Sequence, residues 1–147
     1  MSVRTFAIVF GVLYLAVGIL GFIPALRTAP AEAPDLAVTA GYGYLLGLFP
    51  INVLHNLVHI LIGIWGIVAY RNFPSARIYA RGLAIIYGVL TVFGLIPGLS
   101  TLFGLTPLFG HDIWLHALTA IIAAYFGWKA PEPVTAGTTP TSTTSRI

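Results

Sequence analysis

Four apolar stretches, separated by turn-forming or charged residues, organise the chain. Thr5–Pro24 is an unbroken apolar run just after Arg4. Its length is close to the ~20 residues that cross a bilayer core as a helix. Pro50–Tyr70 is the second run, opened by a proline that suits a first helical turn and closed by Arg71. Gly82–Pro97 is the third, with a start as early as Ile78, and Leu108–Gly127 is the fourth, closed by Trp128 and Lys129. Between the first two lies Ala25–Phe49, a loop rich in Pro, Ala and Gly that carries Arg27, Glu32 and Asp35. Its aromatic second half, around Tyr42 and Tyr44, suits a membrane–water interface. Arg71–Arg81 is a short basic connection, and Gly98–Pro107 is a turn. The segment 131–147 is Thr, Ser, Pro and Gly without apolar periodicity, which predicts disorder. The pattern predicts an all-α membrane protein, with a four-span transmembrane domain over residues 1–130.

Composition supports a bilayer as the solvent. The hydrophobic fraction is 58% and the charged fraction only 7% over 147 residues. A soluble domain of this size could not hide so much apolar surface. A cleaved signal peptide is the rival reading of the first run, with Ala31-Glu32-Ala33 as a cleavage box. Pro34 directly after the cut and the length of the run favour a retained helix. Cysteine is absent, which excludes disulfides, thiolate nucleophiles and Cys-held metals. The net charge of +3 comes from a few arginines that do not interleave with aromatics, so no nucleic-acid partner is predicted. In a four-span arrangement Arg4, Arg71, Arg77, Arg81, Lys129 and Arg146 fall on one side, and Arg27 on the other. Positive residues stay inside. The expectation is a multi-pass protein of the cell (inner) membrane with both termini cytoplasmic.

The four runs also read as one two-helix unit used twice, over about 5–71 and about 78–129. Phe10-Gly-Val-Leu13 returns as Tyr87-Gly-Val-Leu90, and Gly21-Phe-Ile-Pro24 as Gly94-Leu-Ile-Pro97. Gly47-Leu-Phe-Pro50 matches Gly104-Leu-Thr-Pro107. Counting on from those prolines without a gap aligns His55 with Asp112 and His59 with His116. Two tandem helical hairpins of equal orientation imply a pseudo-twofold axis along the membrane normal.

The polar residues inside the second and fourth runs are the candidate chemistry. Asn52, His55, Asn56 and His59 share a helix face, since positions three and four apart are neighbours. Asp112, His116 and Thr119 do so on the fourth run. Gly63 and Gly66 follow the first set, and Ala120, Ala123 and Gly127 the second, so the two helices are expected to meet along these faces. His55, His59, Asp112 and His116 then converge in the outer half of the bilayer. His111 points about a quarter turn away and is peripheral.

Three readings of this constellation compete. In the first, the cluster is a hydrogen-bonded structural knot completed by Asn52, Asn56 and Thr119, because buried polar groups must be paired. In the second it is a metal site. Two histidines at i, i+4 form the chelating pair of zinc helices, and Asp112 with His116 complete an N3O set suited to Zn²⁺. In the third, His59 and His116 hold a haem between helices. Catalysis has weaker support. A metal-dependent membrane hydrolase needs a general base beyond the ligands, and the sequence offers Asp112, already a ligand, or the loop residues Glu32 and Asp35. No phosphate loop or paired nucleophile is present. The reading leans away from an enzyme. An accessory subunit of a larger membrane complex, or a homo-oligomer, is compatible with any of the three. Tyr14, Tyr87, Trp65, Trp114 and Trp128 read as packing or interfacial residues.

The paired motifs N-x-x-H-N-x-x-H-x-x-x-G at Asn52–Gly63 and D-x-x-L-H at Asp112–His116 resemble the signature of an uncharacterised bacterial family of small four-helix membrane proteins, catalogued as a domain of unknown function. The resemblance runs to about Lys129 and implies an integral membrane protein, with no activity or cofactor attached. His111 stands where the family pattern leads one to expect a small residue.

Overall fold

The computed structural model describes residues 1–30 and 34–131. The cleavage-box residues 31–33, which include Glu32, and the polar tail 132–147 lie outside the described residues.

The chain is mostly helical. The helices are α1 (Val3–Leu20), α2 (Val53–Ala69), α3 (Phe73–Leu95) and α4 (His111–Ala124), the last running on into a π turn at Tyr125–Lys129. Each N-terminus has a local cause. Ser2 caps α1 by accepting from the Thr5 N–H, and Asn72 caps α3 by accepting from the Ser75 N–H. Asn52 does the same for α2 through the His55 N–H. α1 and α3 are long and apolar enough to cross a membrane, while α2 is equally apolar but shorter, at 17 residues.

Three helix starts differ from the sequence reading. The second helix begins at Val53 rather than Pro50, because Phe49–Ile51 is drawn into a small sheet. The expected interfacial loop thus contains regular structure. Strand β1 (Arg27–Thr28) pairs antiparallel with β2 (Gly43–Leu45), and β2 with β3 (Phe49–Ile51). Pro50 faces Tyr44 in that register, and its missing N–H is tolerated at the sheet edge. The fourth helix begins at His111, after Gly110 turns the chain at φ 65°. The third begins earlier than Gly82, at Phe73, with Pro74 in its first turn.

The helices pack as two antiparallel pairs, α1 on α2 and α3 on α4. Small residues allow close approach in both. A Cβ on Gly66 would lie 2.7 Å from the Gly11 Cα and 2.8 Å from the Ala7 carbonyl oxygen. A Cβ on Gly63 would lie 2.5 Å from the Leu15 backbone nitrogen. On the other pair, a Cβ on Gly127 would lie 2.9 Å from the Arg81 side chain. The small faces therefore serve contacts within each pair. The expectation that they meet each other across α2 and α4 is corrected: the neighbour in sequence takes the close contact, and only the polar parts of α2 and α4 face one another.

Arginines close one end of both pairs. Arg4 Nε donates to the Tyr70 carbonyl, at the end of α2. Arg77 and Arg81 of α3 donate to the Ala130 and Gly127 carbonyls after α4. These carbonyls have no helical partner, and a cation there also opposes the helix dipole. At the opposite end, Leu46–Gly47 and Phe103–Gly104 both adopt left-handed backbone at the positions aligned by the shared G-L-x-P segments.

The core runs through the middle of the helices, from Phe6 and Ala7 through Tyr79, Leu83 and Tyr87 to Ala123 and Phe126. The outward surface is also apolar: Leu61 is 65% exposed, Ile85 60% and Ile121 68%.

Candidate functional site

The site is built where α2 and α4 face each other near their N-termini. Asn52 sets the start of α2. Its Oδ1 accepts from the His55 N–H at 2.9 Å. Its amide donates to the Val38 carbonyl at 2.9 Å and to the Leu105 carbonyl at 2.8 Å. One fully buried side chain thus ties the start of α2 to the loop before it and to the loop between α3 and α4. His55 and His59 follow one turn apart, and their rings lie 4.5 Å apart between centroids.

From α4 come Asp112 and His116, both buried. The ligating nitrogens of His55, His59 and His116 all lie within 4.8 Å of one another. Asp112 Oδ2 is 3.8 Å from His55 Nδ1. The four residues that share the spacing thus lie near one another, three of them in a tight imidazole cluster and the Asp112 carboxylate beside His55.

Among the described residues, the Nδ1 atoms of His55, His59 and His116 and Oδ2 of Asp112 are buried without a hydrogen-bond partner. The 3.8 Å His55–Asp112 approach exceeds a hydrogen bond, which falls near 2.7–3.2 Å. Buried polar atoms left unpaired cost on the order of 1–3 kcal/mol each.

The proposed supporting residues separate. Thr119 pairs with the Tyr14 hydroxyl at 3.1 Å and lines a cavity with His59, Asp112 and His116. Asn56 lies one position from His55, a rotation of about 100° on a helix, and faces α1. There its carboxamide fills the space beside Gly21, so that a Cβ on Gly21 would collide with it. His111 is peripheral and exposed, and its Nδ1 accepts from Trp114 Nε1 at 3.0 Å.

Two residues that sequence spacing does not single out complete the site. Tyr14 of α1 packs 5.2 Å from the His59 ring and 5.3 Å from Tyr87. Tyr87 of α3 packs 4.9 Å from His116. With His55 at 4.5 Å from His59 and 6.2 Å from His116, five rings form a closed circuit. All four helices contribute to it. Aromatic residues in apolar helices carry no distinguishing pattern, so nothing in the spacing of Tyr14 or Tyr87 marks them. The matched segments at Phe10 and Tyr87 hold a weak signal, since each copy places an aromatic ring on the first helix of its pair.

No curated protein and no solved structure matches this chain. A family model matches nearly the whole described region. Through residues 4–129 the chain belongs to the family described as Domain of unknown function (DUF4383).

Proposed function

We propose that this protein is a four-span integral membrane protein that holds a divalent metal, Zn²⁺ by its ligand chemistry, through His55, His59, His116 and Asp112. The observation that carries the metal reading is the cluster of three unpaired imidazole nitrogens with a carboxylate oxygen at its edge. Tetrahedral zinc with bonds of about 2.0–2.1 Å sets its ligands about 3.3 Å apart. The observed separations, up to 4.8 Å among the nitrogens and 3.8 Å to Asp112, lie within a small side-chain rotation of that spacing. A metal would satisfy the buried atoms that the four residues do not satisfy among themselves.

Several features support the bilayer setting. The outer surface of all four helices is apolar. The arginines gather at one end of both helix pairs, as the positive-inside rule requires of a cytoplasmic face. The shared left-handed turns before Pro50 and Pro107, and the arginine closures at the other end, support two tandem hairpins about a pseudo-twofold axis. The cluster then lies in the outer half of the membrane.

The haem reading is disfavoured by His55. A macrocycle must pass between its two axial imidazoles, and the His55 ring stands 4.5 Å from His59 and 6.2 Å from His116, against both proposed ligands.

Purification in mild detergent followed by elemental analysis tests the proposal. The expected result is close to one zinc per chain, lost in His59→Ala and in His116→Ala. Metal-free protein whose His variants are merely less stable would return the cluster to a structural role, and a Soret band would favour haem.

A further inference from the structure

A cleft of about 180 Å³ runs inward between α2 and α3 and ends at the cluster. Its walls are apolar: Val58 on α2, Ile86 and Leu90 on α3, and Leu102 on the following loop. Val58 and Ile86 are 45% and 40% exposed, so the mouth opens on the apolar outer surface of the helices. The inner end is polar and aromatic. Thr106, His55, His59 and His116 line it together with Tyr87. The Thr106 hydroxyl and the Nδ1 atoms of these three histidines are buried without partners among the described residues.

Volume and chemistry together narrow the occupant. An apolar cavity of about 150 Å³ accepts benzene, so this cleft takes a single six-membered ring. A plain hydrocarbon would leave the Thr106 hydroxyl unpaired, at the usual cost of a buried donor. A phospholipid headgroup would need a cation for its phosphate, and no Lys or Arg is among the residues lining the cleft. A ring bearing carbonyl oxygens meets both conditions, because it accepts hydrogen bonds at the inner end and presents apolar substituents to the walls. An attached hydrocarbon chain would leave through the mouth into the bilayer.

We propose that the cleft between α2 and α3 binds a one-ring membrane quinone, with its carbonyl oxygen toward Thr106 and its tail in the lipid. This rests on the bilayer setting and not on the metal: Thr106 is not among the proposed ligands, and its hydroxyl remains available when the imidazoles are engaged. The flat Tyr87 ring at the inner end supplies a surface for the quinone head.

The test uses the full chain reconstituted in lipid nanodiscs with a radiolabelled benzoquinone carrying a ten-carbon chain. Saturable binding is expected at about one per chain, with decylbenzene failing to compete. Thr106→Val, which removes the hydroxyl at nearly constant shape, and Leu90→Trp, which fills the cleft, should each weaken binding at least tenfold. Both variants should keep the zinc content of the wild type, while His59→Ala loses its zinc; this separates failure of the quinone site from failure of the metal site. Uptake no greater than that of empty nanodiscs would overturn the proposal. So would equal competition by decylbenzene, or unchanged affinity in either variant.

Discussion

Asn52 shows how much one polar side chain carries at this site. It caps α2 and joins two separate loop carbonyls to it. Losing a cap costs about 1 kcal/mol. Leaving the Val38 and Leu105 carbonyls without that donor adds on the order of 1–3 kcal/mol for the two together, because neither residue is buried and water can reach them. Asn52→Ala should therefore lower stability by about 2–4 kcal/mol, measured as the thermal midpoint in detergent. Asn52→Asp keeps the cap but sets a buried carboxylate oxygen against the Val38 and Leu105 carbonyl oxygens, so its midpoint should fall at least as low as that of Asn52→Ala. Equal midpoints for Asn52→Ala and wild type would refute this role. The four cluster residues were legible in the sequence, because ionisable groups at helical spacing in an apolar run stand out. Asn52 and Thr119 were also visible as polar residues, but spacing assigned them to the cluster. Asn52 is spent on the helix terminus, and Thr119 on Tyr14. Tyr14 and Tyr87 could not be told from ordinary packing residues, and three-dimensional packing alone brings them to the imidazoles.

At the scale of elements, the apolar runs located all four helices, and capping chemistry decided their ends. The sheet of β1, β2 and β3 was not legible: its strands are two or three residues long, and Gly and Pro within them read as loop. The glycines divide by what they face. Gly66 and Gly11 let the α1 and α2 backbones touch, and a Cβ at Gly66 has backbone atoms within 2.8 Å. Gly66→Ala should destabilise by about 1–3 kcal/mol, as overpacking does. Gly88, in the middle of α3, has no atom within 4 Å of an added Cβ. Gly88→Ala should leave stability unchanged or raise it by up to about 1 kcal/mol through helix propensity. Thermal midpoints of the two variants measured side by side check the contrast, and a loss in Gly88→Ala as large as in Gly66→Ala would contradict it.

For the whole molecule, the two halves put equivalent devices in equivalent places. A left-handed turn precedes a buried proline, and a carboxylate or imidazole follows and is joined by a histidine one turn on. An arginine from the first helix of each pair closes the end of the second. In the proposed metal centre, each of the two aligned helices would supply two ligands, His55 and His59 from α2 and Asp112 and His116 from α4. Reporter fusions should show the Arg71–Arg81 connection inside the cell, and the Val38 and Gly104 loops outside. A reporter at the basic connection that is active only outside would reverse the orientation.

X-ray absorption at the zinc edge of the purified protein addresses the shared centre most directly. The account predicts a first shell of three imidazole nitrogens and one carboxylate oxygen at about 2.0–2.1 Å, with the imidazole signal collapsing in His59→Ala and His116→Ala. A shell of oxygen alone, or an imidazole shell that survives both substitutions, would contradict it.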